Sequence, residues 1–479
     1  MRFLPILILT AGLALAQQKQ EEFYHRQEIP MPTGEIIEIG SIALMPKQQI
    51  AVTTRRGEVW ICSGAYGDDL SKVSWKKFAH GLHEPFGMYY KDGSLFVTQR
   101  SEFTRLQDTD GDGSADVFEA INSDWEVSGD YHEYAFGSTP DKNGDVWIAL
   151  CLTGAISAEC DSRGWAVRIT PEGKMIPTVS GIRSPGGIGF NSAGDAFYTD
   201  NQGNWNGSSS LKWLKPGSFQ GNPSGNEYHK LVGLPAPPVP NDKSRVEIER
   251  QKHPTFIPPA VVFPHGKVGT SPSGITVDST GGKFGPWKDQ LYVGENAQSE
   301  VQRVFLEKVN GIYQGAVFKF LEGFETGVVP VTMSQEAGVL FIGGTARGWG
   351  SRGNKPFTFE RVKWTGKVPF EIQTMTANSD GFTLTFTDPV DPLIAADPAT
   401  YSMNAWTYIL QSDYGSPQVD QVSPTITGAE VSDDHKSVRL TIKGLVKGHV
   451  HHLDADGVKS AAGLNLWHPD AYYTLNEIP

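Results

Sequence analysis

The sequence predicts an all-β protein: a six-bladed β-propeller followed by a small C-terminal β-sandwich of immunoglobulin-like type. Three observations carry this reading. One short pattern recurs six times; most copies are followed by a polar turn and a short apolar strand; and turn residues are abundant while no long helical period appears. With 53 Gly and 31 Pro among 479 residues, frequent chain reversal is written into the composition.

In chain order the copies read Gly40-Ser41-Ile42-Ala43, Pro85-Phe86-Gly87-Met88, Tyr134-Ala135-Phe136-Gly137, Pro185-Gly186-Gly187-Ile188, Pro272-Ser273-Gly274-Ile275 and, weakest, Val329-Pro330-Val331-Thr332. The strands that follow include Ser94-Leu95-Phe96-Val97, Asp145-Val146-Trp147-Ile148, Asp195-Ala196-Phe197-Tyr198, Gln290-Leu291-Tyr292-Val293 and Val339-Leu340-Phe341-Ile342. The copies start mostly about 45 to 55 residues apart, with one long insertion, which is the period of propeller blades. A propeller's central channel is then the first place to look for a ligand.

The repeats end near Thr345. Arg347-Gly348-Trp349-Gly350-Ser351-Arg352-Gly353 reads as a glycine-rich, basic and aromatic loop, Phe357 to Trp364 as a further strand, and Lys367-Val368-Pro369-Phe370 as a linker. Beyond it, Gly381-Phe382-Thr383-Leu384-Thr385-Phe386 and Val438-Arg439-Leu440-Thr441-Ile442 alternate as half-buried strands do. These features divide the chain into a signal segment (1–16), the propeller (17–366) and the sandwich (367–479). No chemistry is assigned to the last. His449 and His451 share a strand face at metal-ligand spacing, but no third ligand is near, so with His452 they read as a polar face.

The signal segment rests on Met1-Arg2, an apolar run from Phe3 to Leu15, and Ala14-Leu15-Ala16 before Gln17, with cleavage expected after Ala16. The run is too short to span a bilayer comfortably and no later stretch is longer, so a periplasmic or secreted protein without a membrane span is expected. A net charge of −13 argues against nucleic acid or anionic membrane as partners. Of the three cysteines, Cys151 and Cys160 are the expected disulfide pair and Cys62 a buried thiol. There is no Cys-x-x-Cys-His, hence no covalently held haem.

The strongest local motif is Asp108-Thr109-Asp110-Gly111-Asp112-Gly113-Ser114-Ala115-Asp116 with Glu119. Side-chain oxygens of Asp108, Asp110, Asp112, Ser114, Asp116 and Glu119 fall at the spacing of a calcium loop, with strands rather than helices on its flanks. A structural calcium is expected there.

Three segments place residues of catalytic type at the edges of inner strands. Ser128-Gly129-Asp130-Tyr131-His132-Glu133 offers His132 as a general base with Asp130 and Glu133 beside it. Arg183, with Asp200, Asn201, Gln202 and Asn204, could clamp a polyhydroxylated or anionic ligand. Around the fifth repeat stand His265, Lys267, Glu295, Asn296 and Gln298, and His83 and Glu84 hold the matching place in the second. Charged and polar groups at equivalent repeat positions point to one shared channel mouth. Asp130, His83, Glu84, Asn201 and Gln202 are the expected substrate contacts.

Gly181-Ile182-Arg183-Ser184-Pro185-Gly186-Gly187-Ile188, with Asp200-Asn201-Gln202-Gly203, resembles the glucose/sorbosone dehydrogenase family, six-bladed propellers related to soluble quinoprotein sugar dehydrogenases. Gly81-Leu82-His83-Glu84-Pro85, Asp108 to Gly113, Tyr131-His132-Glu133-Tyr134, Ser271-Pro272-Ser273-Gly274 and Ala471-Tyr472-Tyr473-Thr474-Leu475-Asn476 resemble exported dehydrogenase-like propellers of planctomycete and verrucomicrobial bacteria. The resemblance implies pyrroloquinoline quinone and calcium as cofactors. His132 would take the proton of a sugar hydroxyl, Arg183 would polarise the quinone, carbonyls of Gly203 and Asn204 would hold its calcium, and Lys267 and Gln298 would touch the cofactor. The chain departs from the family at Ser184 and Gly186, where Asn and Gln are usual. It departs again at Gln298 and at 326–328, where a Lys and paired Arg are usual.

The leading expectation is therefore an exported sugar or aldehyde dehydrogenase-like enzyme passing electrons to a separate carrier. A hydrolase or lyase using His132, Glu133 and a metal, and a propeller that binds a carbohydrate or glycan without turnover, are the alternatives.

Overall fold

The computed structural model describes residues 18–346 and 350–479. The expected signal segment 1–16 and residues 347–349 of the glycine-rich loop lie outside them.

Six four-stranded antiparallel blades make up the first part of the chain, the fifth being one half of an eight-stranded sheet. Their first strands, Ile39–Met45, Gly87–Lys91, Ala135–Pro140, Pro185–Phe190, Pro272–Val277 and Val328–Ser334, pack each against the next, and the last against the first, closing a ring of six blades. These are the six copies read from the sequence. The ring can be this tight because facing positions are bare. A Cβ on Gly87 would lie 2.6 Å from the Gly137 backbone, and one on Gly187 would lie 2.7 Å from that of Gly274. The weak sixth copy has a physical cause. Pro330 cannot donate to the ladder, and pairing with Val339–Thr345 shifts register between Val328 and Val331.

The sixth blade is completed from the other end of the chain: Tyr24–Glu28 pairs with Phe357–Trp364, from Tyr24 opposite Trp364 to Glu28 opposite Glu360. This closure joins the two ends of the ring in one sheet. Between blades, large apolar side chains form the core, among them the fully buried Trp287, Phe284 and Tyr292 between the fifth and sixth. The long insertion lies in the fourth blade between Ser209–Trp213 and Val261–Phe263 and carries two short helices, Tyr228–Val232 and Val246–Lys252.

The segment after 367 forms two sheets around a shared apolar core that includes Phe370, Phe382, Leu384, Leu440 and Tyr473. One sheet is not separate from the propeller. Asp470–Leu475 pairs with the outer strand of the fifth blade, Ile312–Leu321, placing Thr474 opposite Gly315 and Tyr472 opposite Val317. Arg303, fully buried, fastens the same seam by donating to Gln290 Oε1 and to the carbonyls of Ile372 and Gln373 at 2.7–2.9 Å. Its guanidinium lies between the rings of Trp287 and Phe318.

The histidine cluster is structural. His451 is buried and accepts from the Val446 N–H, His452 stacks on Tyr472 and pairs with Asp470 at 2.6 Å, and His449 bonds backbone carbonyls.

Candidate functional site

Residues that precede the inner strands and residues that follow the second strands meet at one end of the ring. They enclose a cavity of about 420 Å³ whose polar lining includes His132, Arg183, Asn201 and Asn296, with Tyr131 and Tyr414 at its rim. Behind it the channel continues as a space of about 340 Å³ lined by the inner strands of all six blades, without a charged side chain.

His132 sits in the turn before the third inner strand. Its backbone N–H donates to Asp130 Oδ1 at 2.8 Å, and the same oxygen takes the Gly154 N–H at 2.9 Å, so Asp130 fixes the turn. On the imidazole, Nδ1 lies 3.1 Å from Cys151 Sγ, and Nε2 has no partner among the described residues. Burial, then the nearby Arg183 charge, pulls the His132 pKa down to about 4, with Asp130 opposing. The ring is therefore neutral at physiological pH, the form a general base requires.

Arg183 is buried, and its Nη1 donates to the carbonyls of Gln202 at 2.9 Å and Asn201 at 3.3 Å. Among the described residues its Nε has no partner, and neither have Asn201 Oδ1 and Asn296 Oδ1, although all three atoms are buried. Gly203 makes room for this guanidinium, since a Cβ there would fall 1.9 Å from Arg183 Cζ. Across the cavity rim, the Arg183 guanidinium lies 5.3 Å from the Tyr414 ring centroid. Tyr414 comes from the C-terminal segment, so that segment, given no chemistry from sequence, supplies a wall of the site. Its loop is tied down by Gly415 N–H to the Gly203 carbonyl (3.1 Å), Trp205 N–H to the Gln411 carbonyl (2.6 Å), and the Asn204 amide to the Ser412 carbonyl.

Other expected site residues lie elsewhere. Glu133 is fully buried behind His132, accepting from Ser128 N–H (2.7 Å), Ser128 Oγ (2.9 Å) and Thr153 Oγ1 (2.6 Å). Burial pushes its pKa up, but these donors and Arg163 outweigh burial and hold it below the usual carboxylate range. It braces the turn and does not line the cavity. Glu84 is held by Arg100 at 2.6 Å and by Arg55 at 3.4 Å, and neither it, His83 nor Asp130 is among the lining residues. Gln202 lines the cavity but spends its amide on the Gly207 carbonyl. Gln298 bonds Thr270 Oγ1 at 3.1 Å. Lys267 turns outward onto the Trp406 ring, 4.8 Å from its centroid.

These positions do not form a cradle for a tricarboxylated quinone and its calcium. Arg183 is the only Lys or Arg lining the cavity among the described residues, and three carboxylates with one cation would be poorly neutralised. The Gly203 carbonyl already accepts from Gly415 and the Asn204 carbonyl from Asn222 Nδ2 at 3.1 Å.

The expected disulfide is corrected too. All three cysteines are free, and Cys151 points at His132 rather than at Cys160. Burial pushes the Cys151 thiol up to about 12, so it stays protonated.

In the aspartate loop, oxygens of Asp108, Asp110 and Asp112 come within 4.8 Å of one another, the one such acidic, His or Cys group among the described residues. The other expected ligands make contacts of their own. Asp116 caps Thr109, Glu119 pairs with Arg105, and Ser114 donates its N–H to Asp112.

Two site residues were missed in the sequence, Cys151 and Tyr414. The repeat register could have found the first. Cys151, Asn201 and Asn296 each directly follow the second strand of their blade, and each donates its N–H to the residue before or leading into the inner strand (Tyr134, Ser184, Ser271). One repeat position thus supplies two lining side chains, Asn201 and Asn296, and the buried Cys151 that contacts His132. Nothing local marks Tyr414.

No curated protein matches the chain in sequence. Among solved structures, the chain is similar to a putative oxidoreductase (glucose dehydrogenase) from Thermus thermophilus, at 15% identity over 71% of this chain and 99% of that one, with a TM-score of 0.51. It is also similar to the PQQ-bound aldose sugar dehydrogenase of Streptomyces coelicolor, at 12% identity over 73% and 100% of the two chains, with a TM-score of 0.50. At such identities the likeness is one of fold. Residues 45–332 match the model of the family described as Domain of unknown function (DUF7133), more than half of the sequence, and the chain belongs to that family.

Proposed function

We propose that the channel mouth binds a neutral carbohydrate and that His132 accepts the proton of one of its hydroxyls as that carbon is oxidised, the two electrons leaving as hydride to a separate acceptor. The observation that carries this reading is the lining itself. A neutral imidazole with an open nitrogen stands beside buried donor and acceptor atoms that lack partners (Arg183 Nε, Asn201 Oδ1, Asn296 Oδ1), with no carboxylate among the lining residues. Leaving such atoms unpaired costs about 1–3 kcal/mol each, and a polyhydroxylated ligand offers both donors and acceptors to pair them. Exposed Tyr131 and Tyr414 give the sugar ring apolar faces to lie against. The dehydrogenase folds found for related structures are consistent with this chemistry, and the N-terminal pattern supports a periplasmic or secreted setting. No step is routed through a quinone, because among the described residues Arg183 is the one Lys or Arg that lines the cavity. A hydrolase or lyase using Glu133 is not proposed, since that carboxylate is buried and fully engaged.

A second reading, glycan recognition without turnover, is favoured by the single cation, Arg183, in the described lining. One experiment separates the two: purified protein with a panel of neutral mono- and oligosaccharides and an artificial two-electron acceptor dye, beside calorimetry without the dye. Dye reduction lost in His132→Gln supports the enzyme. Saccharide binding without dye reduction supports the second reading, and no binding contradicts both.

A further inference from the structure

We propose that Cys151 is the positioning residue that sets the tautomer of His132. The sulfur sits between two polar groups of the site: 3.1 Å from His132 Nδ1 on one side and 3.4 Å from the Arg183 carbonyl oxygen on the other. The side chain is 1% exposed, so water does not compete for these contacts. The Ser184 hydroxyl also reaches the sulfur.

Two proton arrangements are open to this group. In the first, the His132 Nδ1–H donates to Sγ and the Cys151 S–H donates to the Arg183 carbonyl. Both bonds are made, and Nε2 is left with its lone pair facing the cavity. In the second, the S–H donates to Nδ1, the carbonyl loses that contact, and Nε2 carries the proton. The first makes two internal bonds where the second makes one, and an imidazole N–H is a stronger donor than a thiol. At about 0.5–1.5 kcal/mol for a bond made in place of none, the extra bond favours the first by roughly 2- to 12-fold. The group that usually orients a catalytic imidazole is a carboxylate, which would also favour the charged ring. Here both nearby carboxylates, Asp130 and Glu133, are spent on the turn, and a neutral thiol orients the ring without stabilising imidazolium. That matches a base that must stay uncharged next to Arg183.

The consequence for turnover rests on the function proposed above, but the tautomer itself can be read without substrate. Protein carrying 15N-labelled histidine gives ring-nitrogen signals that report which nitrogen bears hydrogen, with His132 assigned by its loss in His132→Gln. The expected result at neutral pH is an Nδ1–H ring in the wild type and in Cys151→Ser, whose hydroxyl can take both roles, and a shift toward Nε2–H in Cys151→Ala. A wild-type ring protonated on Nε2 overturns the proposal, and so does an unchanged ring in Cys151→Ala. Should Cys151→Ala fail to fold, the wild-type signal alone decides. Where turnover is present, kcat in Cys151→Ala falls in proportion to the lost Nδ1–H population with KM unchanged, and Cys151→Ser restores it.

Discussion

Two polar clusters of this protein invite a ligand, the aspartate loop at 108–116 and the mouth of the channel, and they differ in how their polar atoms are used. In the loop, Asp108 accepts from Gly111 and Gly113, Asp110 from Asp112, and Asp112 from Ser114, so the acidic side chains hold their own turn in shape in an exposed place. At the mouth, Arg183 Nε, Asn201 Oδ1 and Asn296 Oδ1 are buried without partners among the described residues. A motif legible in sequence can thus be a self-sufficient turn, while a cluster no motif describes holds the unspent hydrogen-bonding capacity. The second property is what recognition needs.

The largest expected effect lies at the mouth. His132→Gln removes the base and lowers kcat by about 10²–10⁴, with KM changed little, because a general base acts on the transition state more than on binding. Steady-state kinetics on the best substrate reads this split; equal loss in KM would mean that His132 binds rather than reacts.

Next is pH. His132 titrates near 4 in the fold and at 6.5 when unfolded, so the unfolded chain takes up its proton first on acidification. Stability is therefore full above about 6.5 and falls as pH drops toward 4, by at most about 3 kcal/mol from this group. Burial keeps the ring neutral, and His83, His265 and His451, also lowered by burial, add in the same direction. Denaturant titrations at several pH values should show a shallower acid loss in His132→Gln; an identical slope would place the ring in solvent.

Smaller is Gly203→Ala. The new methyl meets the Arg183 guanidinium, and moving it costs about 1–3 kcal/mol, read as a loss of saccharide affinity of roughly 5- to 150-fold. Unchanged affinity would remove Arg183 from the binding surface.

The inner strands were legible because five of the six copies carry glycines that a close approach requires, and the sixth, Val329-Pro330-Val331-Thr332, which has none, was the weakest. The closing strand was not: in Tyr24–Glu28 only Tyr24 is buried, so the stretch has no strand period to detect. His132 and Glu133 stand side by side in sequence, yet in the turn one faces the cavity while the other is packed behind it. Lys267 carried the right charge, but an exposed lysine stem found the Trp406 ring, a partner from a distant segment. Tyr414 reaches the site for the same reason of long-range topology, through the strand that joins the C-terminal segment to the fifth blade.

Calorimetry with one neutral saccharide on three proteins, wild type, Asn201→Ala and Asp108→Ala, sets the two clusters against each other. Asn201→Ala is expected to weaken binding by roughly 2- to 12-fold at unchanged stability, since its side-chain Oδ1 has no partner to lose among the described residues. The reverse is expected of Asp108→Ala, which loses two backbone contacts and about 1 kcal/mol of stability while binding is unaltered, with or without a chelator. Saccharide affinity that follows Asp108 or the chelator and ignores Asn201 would overturn the assignment of recognition to the channel mouth.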